Sequence, residues 1–210
     1  MHTRPVVALS VIGVLAVTGI AQAAPKQPAA PKPVCNLITD ATGDGKVAVP
    51  AADLDIVSGD LATNAKTITA VLRLAGNPTA PNPQALGGKN YYVTFNAPGV
   101  AEQQFLSAQI DPVLGTTYST GFTDTSTGVG NRTDDATPAT GSIAGNVITI
   151  HAPLSAFASR TTFPAGKRLS GLGAEVFVLV GTGPTGGLLI RADDALGASY
   201  PIGASSCVKQ

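Results

Sequence analysis

The stretch CNLITDATGDGKVAVPAADLDI, residues 35–56, holds four aspartates, Asp40, Asp44, Asp53 and Asp55, two glycines and the first of two cysteines. Asp40, Thr42 and Asp44 put side-chain oxygens at the first, third and fifth places of a loop, and Gly45 follows at the sixth. A tight turn with that spacing can wrap a hard cation, which asks for oxygen ligands and a sharp bend. Calcium is the cation that such a loop would meet outside a cell. The same residues also make ordinary turns, in which Asp and Gly bend the chain and the carboxylate accepts a local backbone N–H. The stretch therefore reads as the start of a sheet first and as a cation site second.

Other residues with chemistry to offer are few. His151 is the one histidine beyond the leader and lies inside VITIHAPL, where a hydrogen-bonded sheet histidine is expected rather than a general base. The chain has no G-x-S-x-G elbow and no H-E-x-x-H pair. Asp134-Asp135 and Asp193-Asp194 are tandem carboxylates; neighbours on a strand point apart, so they are not an acid and base pair, and a turn is their expected home. GTGPTGG, from Gly181, lacks the lysine of a phosphate cradle and reads as a hairpin turn. There is no tryptophan. Of the adjacent Tyr91 and Tyr92, one must face the core and the other the opposite side, where it is either a ligand platform or lies under a loop.

The ends of the chain bound the compartment. Arg4, an apolar run from Val6 to Ile20 and the small-x-small Ala21-Gln22-Ala23 form a secretory signal peptide over 1–23. The run is shorter than the roughly 20 residues of a membrane span, so no membrane insertion is expected after cleavage. Residues 24–34 are rich in Pro and Ala and form an extended linker, which leaves 35–210 as one domain. Thirteen basic and thirteen acidic residues balance, and no basic field for nucleic acid results. Cys35 and Cys207 stand at the two edges of this domain, in a chain that leaves the reducing cytosol, and are expected to pair. Such a bridge closes nearly the whole domain and contributes roughly 5 kcal/mol in the chain-entropy treatment.

The elements that must position these groups follow from a period-two apolar pattern broken by Gly, Pro, Asn and Asp. In KTITAVLRL, Ile68, Ala70, Leu72 and Leu74 share one face; in NYYVTFNA, Tyr91, Val93 and Phe95 share one. DLDIVSGDL, QQFLSAQID, TTYSTGF, GSIAGNVITIHAPL, AEVFVLVG, GGLLIRADDA and SYPIG are further strands, with AEVFVLVG apolar on both faces and so central. PLSAFAS offers one short turn of helix. The fold class is all-β, with about eight or nine antiparallel strands in a two-sheet sandwich. GNPTAPNPQALGGK and GFTDTSTGVGNRTDDATPATG read as long, projecting, mobile loops.

DATGD at Asp40, DLDIVSGDL at Asp53 and the alternating KTITAVLRL together resemble the opening of secreted bacterial β-sandwiches of the carbohydrate-binding family 9 and DOMON-like group. DATGDGKV also resembles the start of a dockerin repeat, but departs from it at position twelve, Ala51, and has no second copy. The sandwich resemblance implies a jelly-roll-like fold and a structural calcium near the first strand, held by Asp40, Asp44 and Asp55. It further implies a polysaccharide or cell-surface polymer as partner, with Tyr91 and Tyr92 as the ligand-binding candidates. The expected protein is a secreted, non-enzymatic binding module. A structural or adhesive envelope protein without a small ligand is the alternative, and a hydrolase the most distant one.

Overall fold

The computed structural model describes residues 35–46, 51–124, 131–135, 137–181 and 188–208. The expected signal peptide, the linker and the GTGPTGG turn beyond Gly181 lie outside these residues. Two antiparallel sheets form a β-sandwich. The first contains β1 (Ile38–Thr39), β2 (Ile56–Thr63), β3 (Thr67–Leu74), β8 (Thr140–Ala144) and β9 (Val147–Pro153), in the order β1-β2-β3-β9-β8. The second contains β4 (Gly88–Asn96), β5 (Gln103–Asp111), β6 (Gly115–Asp124), β7 (Asn131–Asp134), β10 (Arg168–Val180) and β11 (Leu188–Leu196), in the order β11-β10-β4-β5-β6-β7. A short β12 (Tyr200–Pro201) pairs with the start of β10.

Alternation decides which residues fill the space between the sheets. Ile68, Ala70, Leu72 and Leu74 of β3 face Tyr91, Val93 and Phe95 of β4, and all are buried in one cluster. The chain crosses between the sheets from β3 to β4, back from β7 to β8 and again from β9 to β10, and the β3–β4 and β9–β10 crossings form a pair. Because β3 lies beside β9 and β4 beside β10, that pair of crossings interlocks the layers. Phe95, Phe157 and Phe163 pack edge to face near the β9–β10 crossing, where Leu154–Phe157 makes the expected helical turn.

Four features differ from the sequence reading. GSIAGNVITIHAPL is a hairpin of two strands, β8 and β9, turned at Gly145-Asn146. The expected loop from Gly121 to Gly141 contains the end of β6, all of β7 and the start of β8. β7 is an edge strand with polar residues on both faces, so it carried no alternating signal. Asp193 and Asp194 lie within β11 rather than in a turn, Asp193 buried and Asp194 partly open. The loop after β3 folds back on the body: Lys89 Nζ donates to Asp53 Oδ2 at 2.9 Å and to the Ala80 carbonyl at 2.7 Å, and Asn82 Nδ2 donates to both Asp53 oxygens.

Residues 35–46 run along one open side of the sandwich as a strap. Cys35 and Cys207 form a disulfide with their Cα atoms 5.3 Å apart. β1 pairs with β2 of the first sheet, while Ile38 also bridges Gly197 just past β11 of the second, and Ala198 N–H donates to the Leu37 carbonyl at 2.7 Å. Ile38 fits this seam because its neighbours lack side chains: a Cβ on Gly197 would lie 2.7 Å from Ile38 Cγ1, and one on Gly59 3.1 Å from Cδ1. A disulfide of this kind is compatible with an oxidising or extracellular environment. Among the described residues no helix is long and apolar enough to cross a membrane.

Candidate metal centre

The strap delivers Asp40 and Asp44 to the seam between the sheets. Asp40 follows β1 directly, and its N–H donates to the Val57 carbonyl, which places it beside the start of β2. Asp55 immediately precedes β2 and is 6% exposed. Its Oδ2 accepts the Gly43 N–H at 2.8 Å and so draws the loop between Asp40 and Asp44 over itself. From the other sheet comes Asp193, 1% exposed, whose Oδ2 accepts the Ile56 N–H at 2.7 Å and whose Oδ1 accepts the Asp194 N–H at 2.9 Å. β11 bulges here, with Ala192 left unpaired opposite the Val176–Phe177 step of β10, and both Ala192 and Asp193 are buried. The loop then closes onto β11: Lys46 N–H donates to the Ala192 carbonyl, and its ammonium pairs with Asp194.

Carboxylate oxygens of Asp40, Asp44 and Asp193 lie within 4.8 Å of one another. Oxygens that share one calcium ion sit about 2.4 Å from it, so they are no more than about 4.8 Å apart, and the trio meets that condition. Asp40 Oδ2 and, outside the trio, Asp55 Oδ1 are buried without a hydrogen-bond partner. A buried anionic oxygen with no donor is expensive, and a cation removes that cost. Burial raises the Asp40 pKa above the ordinary carboxylate value; the Ala41 N–H opposes this, and the charges of Asp193, Asp44 and Asp55 add to it. Burial likewise raises Asp193, opposed by its bond from Ile56 and by Lys46 and reinforced by Asp44 and Asp55. The donor set is all oxygen and strongly anionic, which fits a hard divalent ion and offers nothing to a soft one. A hollow of about 260 Å³ lined by Thr42, Gly43, Leu54 and Asp55 opens beside the cluster.

Of the residues expected at a cation, Asp40 and Asp44 belong to the trio, while Asp55 stands outside it and touches the loop through the Gly43 N–H. Asp193 joins them from more than a hundred residues away, and no local signal in ADDA marks it: its role comes from β11 lying against the start of β2.

The two tyrosines separate as alternation requires. Tyr91 is in the core and its hydroxyl donates to the Asp53 carbonyl at 2.9 Å, so it turns no face to a ligand. Tyr92 is on the outer face of the second sheet, edge-on to Phe105 and Phe177. Arg132 of β7 lies over its ring at 3.9 Å and over Phe177 at 4.6 Å, and pairs with Glu175, which Arg191 also reaches at 2.8 Å. Tyr92, Arg132, Glu175, Phe177 and Arg191, with Gln103, line a groove of about 580 Å³, which Thr123 and Asn131 also border. His151 sits in β9, bonded through Nδ1 to Thr69 Oγ1 at 2.9 Å on the adjacent strand.

Compared with known protein families, with curated proteins and with solved structures, the chain finds no match.

Proposed function

We propose that this chain is an exported, non-catalytic β-sandwich that binds calcium at Asp40, Asp44, Asp55 and Asp193 and serves outside the cell as a binding module for a polysaccharide or other cell-surface polymer. The observation that carries the cation is the trio of Asp40, Asp44 and Asp193 oxygens within 4.8 Å of one another, together with Asp55 Oδ1, which is buried without a donor on the carboxylate that holds the loop between Asp40 and Asp44. Turn chemistry accounts for Asp55 Oδ2 through Gly43, and leaves Oδ1 unexplained. Export is supported by the leader-type sequence and by the disulfide, since both calcium and oxidising conditions prevail outside cells. The groove beside Tyr92 and Phe177 supports a polymer ligand through its polar lining: Arg132 covers both rings, and Gln103, Asn131 and the half-exposed Arg191 offer hydrogen bonds suited to hydroxyl-rich chains.

Equilibrium dialysis against calcium chloride, together with electrophoresis through gels containing neutral or acidic polysaccharide, tests both parts. The expected result is one calcium per chain, with a dissociation constant in the range of about 0.1–1 mM typical of extracellular modules, and retardation in at least one polysaccharide gel that Arg191→Ala weakens. Absence of bound calcium refutes the cation site. Unretarded migration in every gel refutes the polymer ligand and favours the structural or adhesive envelope protein.

A further inference from the structure

The disulfide and the aspartate cluster act on the same short strap. Cys35 is held to Cys207 at its start, and five residues later Asp40 begins the cluster that reaches Asp55 of the first sheet and Asp193 of the second. Between them β1 is only two residues long, with Leu37 N–H donating to Asp60 Oδ1 and Leu37 C=O accepting from Ala198. A two-residue strand is a weak anchor, because each backbone residue that is ordered loses conformational entropy for few bonds in return.

We infer that the Cys35–Cys207 bond and the cation are thermodynamically coupled through this strap, so that the disulfide raises calcium affinity and calcium makes the disulfide harder to reduce. This rests on the calcium reading above. With the disulfide in place the strap is already confined to the seam, and an ion that binds Asp40 and Asp44 has little left to order. With the bond absent, the ion must itself bring residues 35–46 to Asp55 and Asp193. Linkage then requires the reverse effect to have the same size. The consequence for an exported chain is that the seam closes as one event: both links are lacking in a reducing, calcium-poor cytosol and both form outside.

The test compares the oxidised wild-type protein with Cys35→Ser/Cys207→Ser in equilibrium dialysis against calcium chloride. The expected result is binding about tenfold weaker in the variant, which corresponds to 1.4 kcal/mol. In dithiothreitol redox buffers, calcium should shift the wild-type reduction equilibrium by the same factor, about 30 mV. Should the variant fail to fold, the redox measurement on the wild type decides alone. Equal affinities, or a reduction midpoint indifferent to calcium, overturn the coupling and leave the calcium site standing. A wild-type protein that binds no calcium overturns the site and the coupling with it.

Discussion

Replacing Asp55 by asparagine separates a cation site from a group of turn-forming carboxylates by the sign of its effect. The asparagine oxygen keeps the bond from Gly43 N–H. The amide nitrogen takes the place of the unpartnered Oδ1 in a cluster where burial and neighbouring charge already push Asp40 and Asp193 toward protonation. Two full charges 4.8 Å apart, the outer limit for the Asp40, Asp44 and Asp193 oxygens, repel by about 3.5 kcal/mol at an effective dielectric constant of about 20, and Asp55 stands outside that trio. Partial protonation and solvent reduce that figure, so the substitution is expected to stabilise the chelated protein by about 1 kcal/mol. In calcium the order reverses. At a free concentration a hundred times the dissociation constant, the ion stabilises the wild type by about 2.7 kcal/mol, or about 5–11 °C in a domain of this size. A variant whose affinity is a hundredfold lower retains only about 0.4 kcal/mol of this. Calorimetric melts at neutral pH should therefore show Asp55→Asn melting above the wild type in chelator and below it in calcium. A difference of the same sign and size in both buffers would refute the reasoning.

Two other outcomes follow from groups away from the cluster. Lys89→Met should cost about 3–5 kcal/mol in urea unfolding, because it leaves Asp53 buried with Asn82 as its remaining side-chain donor; a cost below about 1 kcal/mol would mean that the pair contributes little to holding the loop after β3. Burial, with the charge of Asp53 adding to it, raises the Tyr91 phenol far above its ordinary value of about 10. Its contribution to stability is therefore complete below about pH 10 and is lost progressively as the pH climbs toward the raised value. Urea midpoints should fall between about pH 9 and pH 11, and fall less in Tyr91→Phe; an identical decline in both proteins would sink this assignment.

Much of the sandwich was legible because burying one face of a strand leaves a period of two in the sequence. KTITAVLRL and NYYVTFNA named their inward faces correctly, and the two cysteines, near the two edges of one domain, had only each other as partners. Where both faces of a strand meet polar surroundings that record disappears, which is why β7 passed for loop although its Arg132 covers Tyr92. Local spacing likewise marked Asp40 and Asp44 as oxygens on a tight loop, and marked one of Tyr91 and Tyr92 for the core.

The sequence by itself determined the all-β class, the inward faces of the long strands and the cysteine partners, since each follows from side-chain type and order along the chain. Tertiary structure alone decided the company that the aspartates keep. Asp193, beside Asp194 in β11, becomes part of a carboxylate cluster because the second sheet's edge lies against Ile56 next to a shift in the pairing with β10. Contacts between sheets are set by how two packed layers and a strap meet in space, and no periodicity along one strand encodes them.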